Sequence, residues 1–280
     1  MAVSEAVRAY YAQFGEREWT RLQHAADGQV EFAVTCQALL RYLPPHARVL
    51  DLGGGPGRYT IWLAEHGHQV ILADLSPELL AIARERIREA GVGGHVEAVV
   101  EADARDLRAW PDGVFDAVVC LGPFYHLPDP ADRARAAAEL GRVLAPGGVA
   151  LVALMPRLAF LRRTLALADE RRHLLEPGFV ARVLEDGVFS NDVPGRFTSG
   201  YGARLEEIGP FFASFGLEQL TLLSVESLTV GLEAILPELL GDTRVAEVVL
   251  GLALAAAADP SILGLARHLL YVGRRERVPG

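Results

Sequence analysis

The chain has 280 residues, 51% of them apolar, and a net charge of -9, a length near the upper end of one domain and a charge that repels a phosphate backbone. All 27 basic residues are arginine, which removes P-loop, kinase and Schiff-base chemistry, each of which uses a lysine. Cys36 and Cys120, far apart in sequence, argue against a disulfide framework or a thiolate zinc site, and the longest apolar run, the 11 residues from Val248 to Ala258, falls short of the roughly 18 of a membrane span.

The N-terminus, "MAVSEAVRAY", lacks the basic stretch and apolar run of a signal peptide, so a cytoplasmic protein is expected. Residues 1–44 read as a helical cover, with Tyr10, Tyr11, Phe14 and Trp19 as aromatic anchors that dock it on the domain. From about 45 to 155, short apolar runs alternate with segments of helical period, the pattern of βαβ units around a parallel sheet. The strands expected are 48–53, 69–74, 96–102, 115–121 and 149–154, with near-continuous apolar text that suits burial on both faces. Helical spacing occupies 59–66, 77–90 and 131–144; Ser76 and Pro77 form an N-cap and N1 pair, and "PGG" at 146–148 ends the last of these helices.

After Met155 the alternation stops. Residues 156–205 read as a lid-like insertion of Arg-rich helices and a polar, glycine-rich loop, "DGVFSNDVPGRFTSGYG". A helix then ends at Gly216, "LEQLTLLSV" reads as a strand, 227–265 as a helical insertion, and "HLLYVGRR" as a last strand.

The chemistry concentrates at "VLDLGGGPGRYT", residues 49–60. Gly53, Gly54, Gly55 and Gly57 make a turn without Cβ atoms at the start of a helix, where free N–H groups favour a carboxylate or phosphate; an ordinary tight βα turn would use the same residues. Asp74 closes the second strand 19 residues after Gly55, where its carboxylate would accept both hydroxyls of a ribose or else cap the turn before Ser76. Asp103 ends the third strand, placed to accept from an exocyclic amine of a base or to cap the following turn. His66 and His68 have no third ligand near them in sequence, so no metal site is expected.

Five segments in order, "VLDLGGGPGRYT", "VILADLSPELLAIAR", "VEADARDL", "FDAVVCLGPFYHL" and "VLAPGGVALVAL", resemble the successive motifs of class I S-adenosylmethionine-dependent methyltransferases. The resemblance implies a doubly wound, mostly parallel seven-stranded α/β sheet, here with an added helical cover, in which "LEQLTLLSV" and "HLLYVGRR" supply the last two strands and the final one runs antiparallel. About forty residues of helical text separate these two, where the family commonly has a short hairpin. It also implies that Asp51, Gly53, Gly55 and Gly57 surround the methionine part of S-adenosylmethionine. Asp74 then holds the ribose, Leu75 lies against the adenine, Asp103 meets the adenine amine and Ala104 its ring edge. Leu121 lines the pocket near the sulfonium, and the N-terminal helix closes over the cofactor through Tyr11 and Arg17.

The fourth motif reads Leu121, Gly122, Pro123 and Phe124. It lacks the Asn or Asp with which relatives grip an exocyclic amine of a nucleic-acid base or a protein glutamine, and the carboxylates of metal-dependent catechol enzymes. The resemblance therefore implies a small-molecule acceptor, with no nucleic acid or membrane partner; a homodimer is compatible with it. If the acceptor is a hydroxyl or protonated amine, His126 is the candidate base, since imidazole titrates near neutrality, or else it packs and hydrogen-bonds structurally; Tyr125 would wall the methyl group or the acceptor, with Phe197 and Tyr201 as further candidates for the acceptor pocket. Two rivals are a non-catalytic S-adenosylmethionine-binding regulator and a nicotinamide-dependent oxidoreductase. Against the second, the third glycine of G-x-G-x-x-G is replaced at Arg58, and no Tyr-x-x-x-Lys dyad can form without lysine.

Overall fold

A computed structural model describes residues 8, 10, 11, 15–193 and 195–277; Phe14 and the first seven residues of the expected cover lie outside the described residues. The alternating text folds as expected into β1 (Arg48–Leu52), α3 (Arg58–Glu65), β2 (Gln69–Asp74), α4 (Pro77–Ala90), β3 (Val96–Glu101), β4 (Phe115–Cys120), α5 (Pro130–Val143) and β5 (Leu144–Pro156). Helices α1 (Glu16–His24) and α2 (Ala26–Tyr42) precede them. Local chemistry sets the boundaries. The Ser76 hydroxyl accepts from the Leu79 N–H at 3.3 Å ahead of Pro77, Gly91 ends the same helix at φ 69°, and Asp129 caps α5 by accepting from the Ala131 N–H.

The order across the sheet is β3-β2-β1-β4-β5, all parallel. Beyond β5 lies β9 (Leu269–Arg275), antiparallel to it from Leu154↔Leu269 to Val149↔Arg274, and then β8 (Leu217–Ser224), antiparallel to β9. Strand alternation divides the core. Leu50, Leu52, Val118 and Cys120 pack on one face with α5 and with α7 (Leu205–Ala213), through Ala136, Leu140 and Phe212. Val49, Val70, Ala117 and Val119 pack on the other with α2, with α8 (Leu236–Gly241) and with α9 (Thr243–Ala256), through Val34, Leu39, Leu236 and Ala253. The helical text at 227–265 therefore covers a sheet face instead of interrupting the β8–β9 pairing.

Two differences from the sequence reading stand out. Among the described residues the sheet has nine strands rather than seven, because the stretch read as a polar lid loop contains β6 (Val188–Ser190) and β7 (Ser199–Ala203), an antiparallel hairpin. It continues the sheet where Met155 and Pro156 pair with Gly202 and Ala203. The hairpin has its own apolar centre, with Phe160, Phe179, Phe189 and Phe197 around Met155, and it can approach α6 (Arg157–Ala166) because a Cβ on Gly202 would lie 2.7 Å from Arg157 Cα. Strand β5 is also longer than expected: pairing with β4 starts at Phe115↔Leu144, and "PGG" falls within a register shift before Ala117↔Val149. Among the described residues no helix is long and apolar enough to cross a membrane.

Candidate functional site

One cleft runs along the sheet edge where β1, β2, β3 and β4 end, the crevice expected of a doubly wound sheet. Asp51, Gly53, Gly55, Asp74, Leu75, Asp103, Ala104, Leu121, Tyr125, His126 and Tyr11 all line it. Of the glycines singled out by sequence for this region, Gly57 stands apart. It is buried beneath the loop against Leu72 and Ala83, at φ 87°, where it turns the chain into α3.

The turn after β1 is built by backbone donors. The Gly53 N–H reaches Ala73 O at 2.7 Å, and the Gly57 N–H reaches Gly54 O at 3.0 Å. At Gly53, φ is 73° and a Cβ would lie 2.6 Å from Pro123 Cδ, so only glycine allows the first and fourth motifs to close on each other. The Asp74 carboxylate braces the far side of the turn, accepting from the Gly55 N–H at 2.9 Å and the Ser76 N–H at 2.8 Å. Burial raises its pKa and those amides oppose the rise.

Asp51 is 1% exposed and accepts from the Thr60 hydroxyl at 2.6 Å. Burial pushes its carboxyl up to about 7, with the Asp74 charge adding to the shift and the Thr60 hydrogen bond opposing it. A buried acid held mainly by a hydroxyl, in the wall of a cleft, is complementary to a ligand ammonium. Asp103 differs: the Arg105 N–H and guanidinium hold its carboxylate, and Arg105 also reaches Asp132 at 2.8 Å. Burial would raise the pKa of Asp103, but the Arg105 hydrogen bonds outweigh it and lower it. Much of the accepting capacity expected for a base amine is thus already engaged.

Beyond Leu121 the cleft becomes aromatic. His126 is buried, with Nε2 2.8 Å from the Tyr11 hydroxyl and its ring stacked on Phe197 at a 4.7 Å centroid distance. Burial pulls its pKa down to about 3, against a small opposing effect of the Ser199 backbone. That shift favours the neutral ring and weakens it as a proton acceptor. Tyr125 donates to Leu121 O at 3.2 Å. Phe197 does not itself line the cleft; its ring stacks on His126 and lies 6.2 Å from the Tyr125 ring. Tyr201 lies elsewhere, beneath the Arg133 guanidinium and bonded to Glu207, and Arg17 is exposed and does not line the cleft.

Sequence reasoning missed a polar band in the same cleft, made of Glu18 and Arg21 from α1, Glu31 from α2 and His268 before β9. Arg21 donates to Glu31 at 2.7 and 3.0 Å and to Glu18 at 3.3 Å. Trp19 anchors α1 on the core by stacking under Arg58, 3.6 Å from the ring centroid.

Residues 49–148 match the model of a methyltransferase domain family. Over 117 residues the chain is 41% identical to a ubiquinone biosynthesis O-methyltransferase of Xanthomonas axonopodis pv. citri, covering 42% of this chain and 46% of that protein. Over 112 residues it is 39% identical to a ubiquinone/menaquinone biosynthesis C-methyltransferase of Vibrio cholerae, covering 39% and 41%. The chain thus spans less than half the length of these curated relatives. A SAM-dependent methyltransferase of Methanosarcina mazei shares the fold, with a TM-score of 0.59 at 18% identity over 86% of this chain and 98% of that one.

Proposed function

We propose that this chain, whose residues 49–148 carry the methyltransferase domain and whose sheet has the class I fold, transfers a methyl group from S-adenosylmethionine to a small-molecule acceptor. The observation that carries the reading is the convergence of Asp51, the Gly53–Gly55 turn and Asp74 on one cleft. The buried Asp51 carboxyl fits an amino-acid ammonium, the open turn gives the methionine tail room, and Asp74 keeps acceptor capacity for ribose hydroxyls. Leu75, Ala104 and Asp103 would flank the adenine, and Leu121, Tyr125, His126 and Tyr11 would enclose the transfer region. When bound, the cofactor supplies a methyl group already activated on a sulfonium. The protein's part is then alignment and water exclusion, worth roughly 7–11 kcal/mol when geometry is good.

S-adenosylhomocysteine is expected to raise the thermal midpoint and NADH to leave it unchanged, because only a ligand bound by the native state stabilises it; the reverse pattern would favour an oxidoreductase. In this reading His126 acts as a neutral ring that positions Tyr11. His126→Ala should lower turnover of an acceptor found by screening labelled cofactor against metabolite extracts by about tenfold or more, while calorimetry finds S-adenosylhomocysteine affinity little changed. Equal turnover in both proteins would leave His126 a packing role.

The net charge of -9 supports a small molecule over nucleic acid, and a cytoplasmic location suits such a biosynthetic role. Exposed Val248 and Leu252, one turn apart on α9, would seat a second copy of the chain. Sedimentation of a dimer, lost on Val248→Glu, checks this.

A further inference from the structure

We propose that His268, oriented by the buried Glu226 carboxylate, is the base that takes a proton from a hydroxyl acceptor, so that the substrate class is phenols or alcohols. The inference rests on the methyl-transfer reading above.

Topology places the pair. Because β8 and β9 are antiparallel, the chain leaves β8 and enters β9 at the sheet edge where the parallel strands end, with Ser224 opposite Leu269 and Ala153 of β5 opposite Leu270. Glu226 and His268 therefore meet beyond the Leu121 end of the cleft. His268, Val225 and Leu270 line its wall, and the His268 and Tyr125 rings are 5.9 Å apart.

Glu226 is fixed on both oxygens. One accepts from His268 Nδ1 at 2.9 Å, and the other from the Arg267 and His268 backbone N–H groups at 3.1 Å each. A carboxylate only accepts, so Nδ1 carries the proton, and the neutral ring keeps its lone pair on Nε2. The Glu226 side chain is 2% exposed and that of His268 27%, which separates a buried orienting group from a ring open to the cleft. This is the arrangement of an oriented base: one nitrogen tied to a carboxylate, the other available to substrate.

The charges facing the ring agree with that role. Glu31 lies 4.0 Å from Nδ1, with Arg21 paired to Glu31 and Arg267 3.8 Å from Glu226. Burial alone would lower the basicity of His268, but the hydrogen bond and charge of Glu226 and the charge of Glu31 outweigh burial and the opposing Arg21 charge, and raise it. His126, shifted the opposite way, is the weaker base of the two.

In the transfer, the acceptor O–H bond breaks and its proton forms an N–H bond at Nε2. The freed oxygen pair forms the O–CH3 bond as the S–CH3 bond breaks, its pair remaining on sulfur as a neutral thioether. The imidazolium, stabilised by Glu226, returns the proton to solvent. The donor atoms of Glu31, Glu226 and His268 lie within 4.8 Å of one another, a spacing that would also suit a cation. Arg21 and the Arg267 segment already supply hydrogen bonds and positive charge to both carboxylates.

Two measurements on the full chain test the assignment. In 15N NMR of the S-adenosylhomocysteine complex, His268 should titrate above the ordinary value of about 6.5, and Glu226→Gln should lower its midpoint; a midpoint at or below the ordinary value, or one unmoved by the variant, overturns the proposal. With phenol as acceptor, His268→Asn, which keeps a donor toward Glu226, should lose about 100-fold or more in S-adenosylhomocysteine formation, and far less with 4-nitrophenol, which ionises near neutrality. Equal loss on both acceptors, no loss, or wild-type protein that turns over neither overturns it, as does activity abolished by EDTA and restored by a divalent cation. Failure of the wild type to bind S-adenosylhomocysteine in calorimetry would instead sink the underlying methyltransferase reading, whereas intact binding in the variant confines the defect to the acceptor step.

Discussion

Asp74→Ala is expected to weaken S-adenosylhomocysteine binding by about 100-fold or more, since two hydrogen bonds from ribose hydroxyls to a charged carboxylate contribute roughly 1.5–3 kcal/mol each. The loss has a second source in the ligand-free protein. The same carboxylate holds the Gly55 and Ser76 amides, so its removal loosens both loops that would face the nucleoside. Asp74→Asn separates the contributions: it keeps an oxygen for one of those amides while removing the charge, and should give an intermediate affinity. Calorimetry that finds the alanine variant binding as tightly as the wild type would confine Asp74 to bracing the turn.

Asp51→Asn should make the ligand-free protein more stable and its ligand binding weaker. The folded-state pKa of Asp51 is raised from 3.8 to about 7. Between those values the native state holds a proton that the unfolded chain has released, so stability falls as pH rises through the window, and the full penalty is present above it. An amide in the same place carries no such penalty and still accepts from Thr60. The variant's melting temperature should exceed the wild type's at and above neutral pH, by roughly 2–4 °C for each kcal/mol relieved; the gain should vanish under acid conditions where both forms are neutral. Affinity for S-adenosylhomocysteine should drop about tenfold or more, as the ammonium loses a charged partner. In the wild type, affinity should climb as Asp51 ionises. A variant that melts lower at neutral pH would contradict this account of the site.

The end of the cleft between Asp51 and Asp74 was legible because its determinants are local. The glycines of residues 53–57, the acid closing β2 and the Ser76–Pro77 cap each act within a few positions of where they stand, and strand ends in a doubly wound sheet converge by rule. At Gly57 the text reads alike for two roles, because a glycine needed for a helix start looks like one needed for a ligand. The β6–β7 hairpin was hidden for a different reason: its strands are only three and five residues long, and the polar text around Phe189 and Phe197 masks an apolar centre shared with Phe160 and Phe179. The wall of the cleft beyond Leu121 was least visible. Glu226 and His268 stand 42 positions apart, and only the antiparallel register of the last two strands brings them together. That register was within reach, since both strands were readable; the helical text between them obscured the consequence.

Strand β9 comes last of the nine yet lies inside the sheet, between β5 and β8. During synthesis, β5 must wait with one open edge, apolar from Val149 to Leu154, until β9 leaves the ribosome. Such an edge invites pairing with other chains. Helices α2 and α9 lie over this half of the sheet, and they would shield its face but not that edge during the interval. Completing the sheet also sets His268 in the cleft wall, so competence for turnover would arrive in the same event that seals the fold.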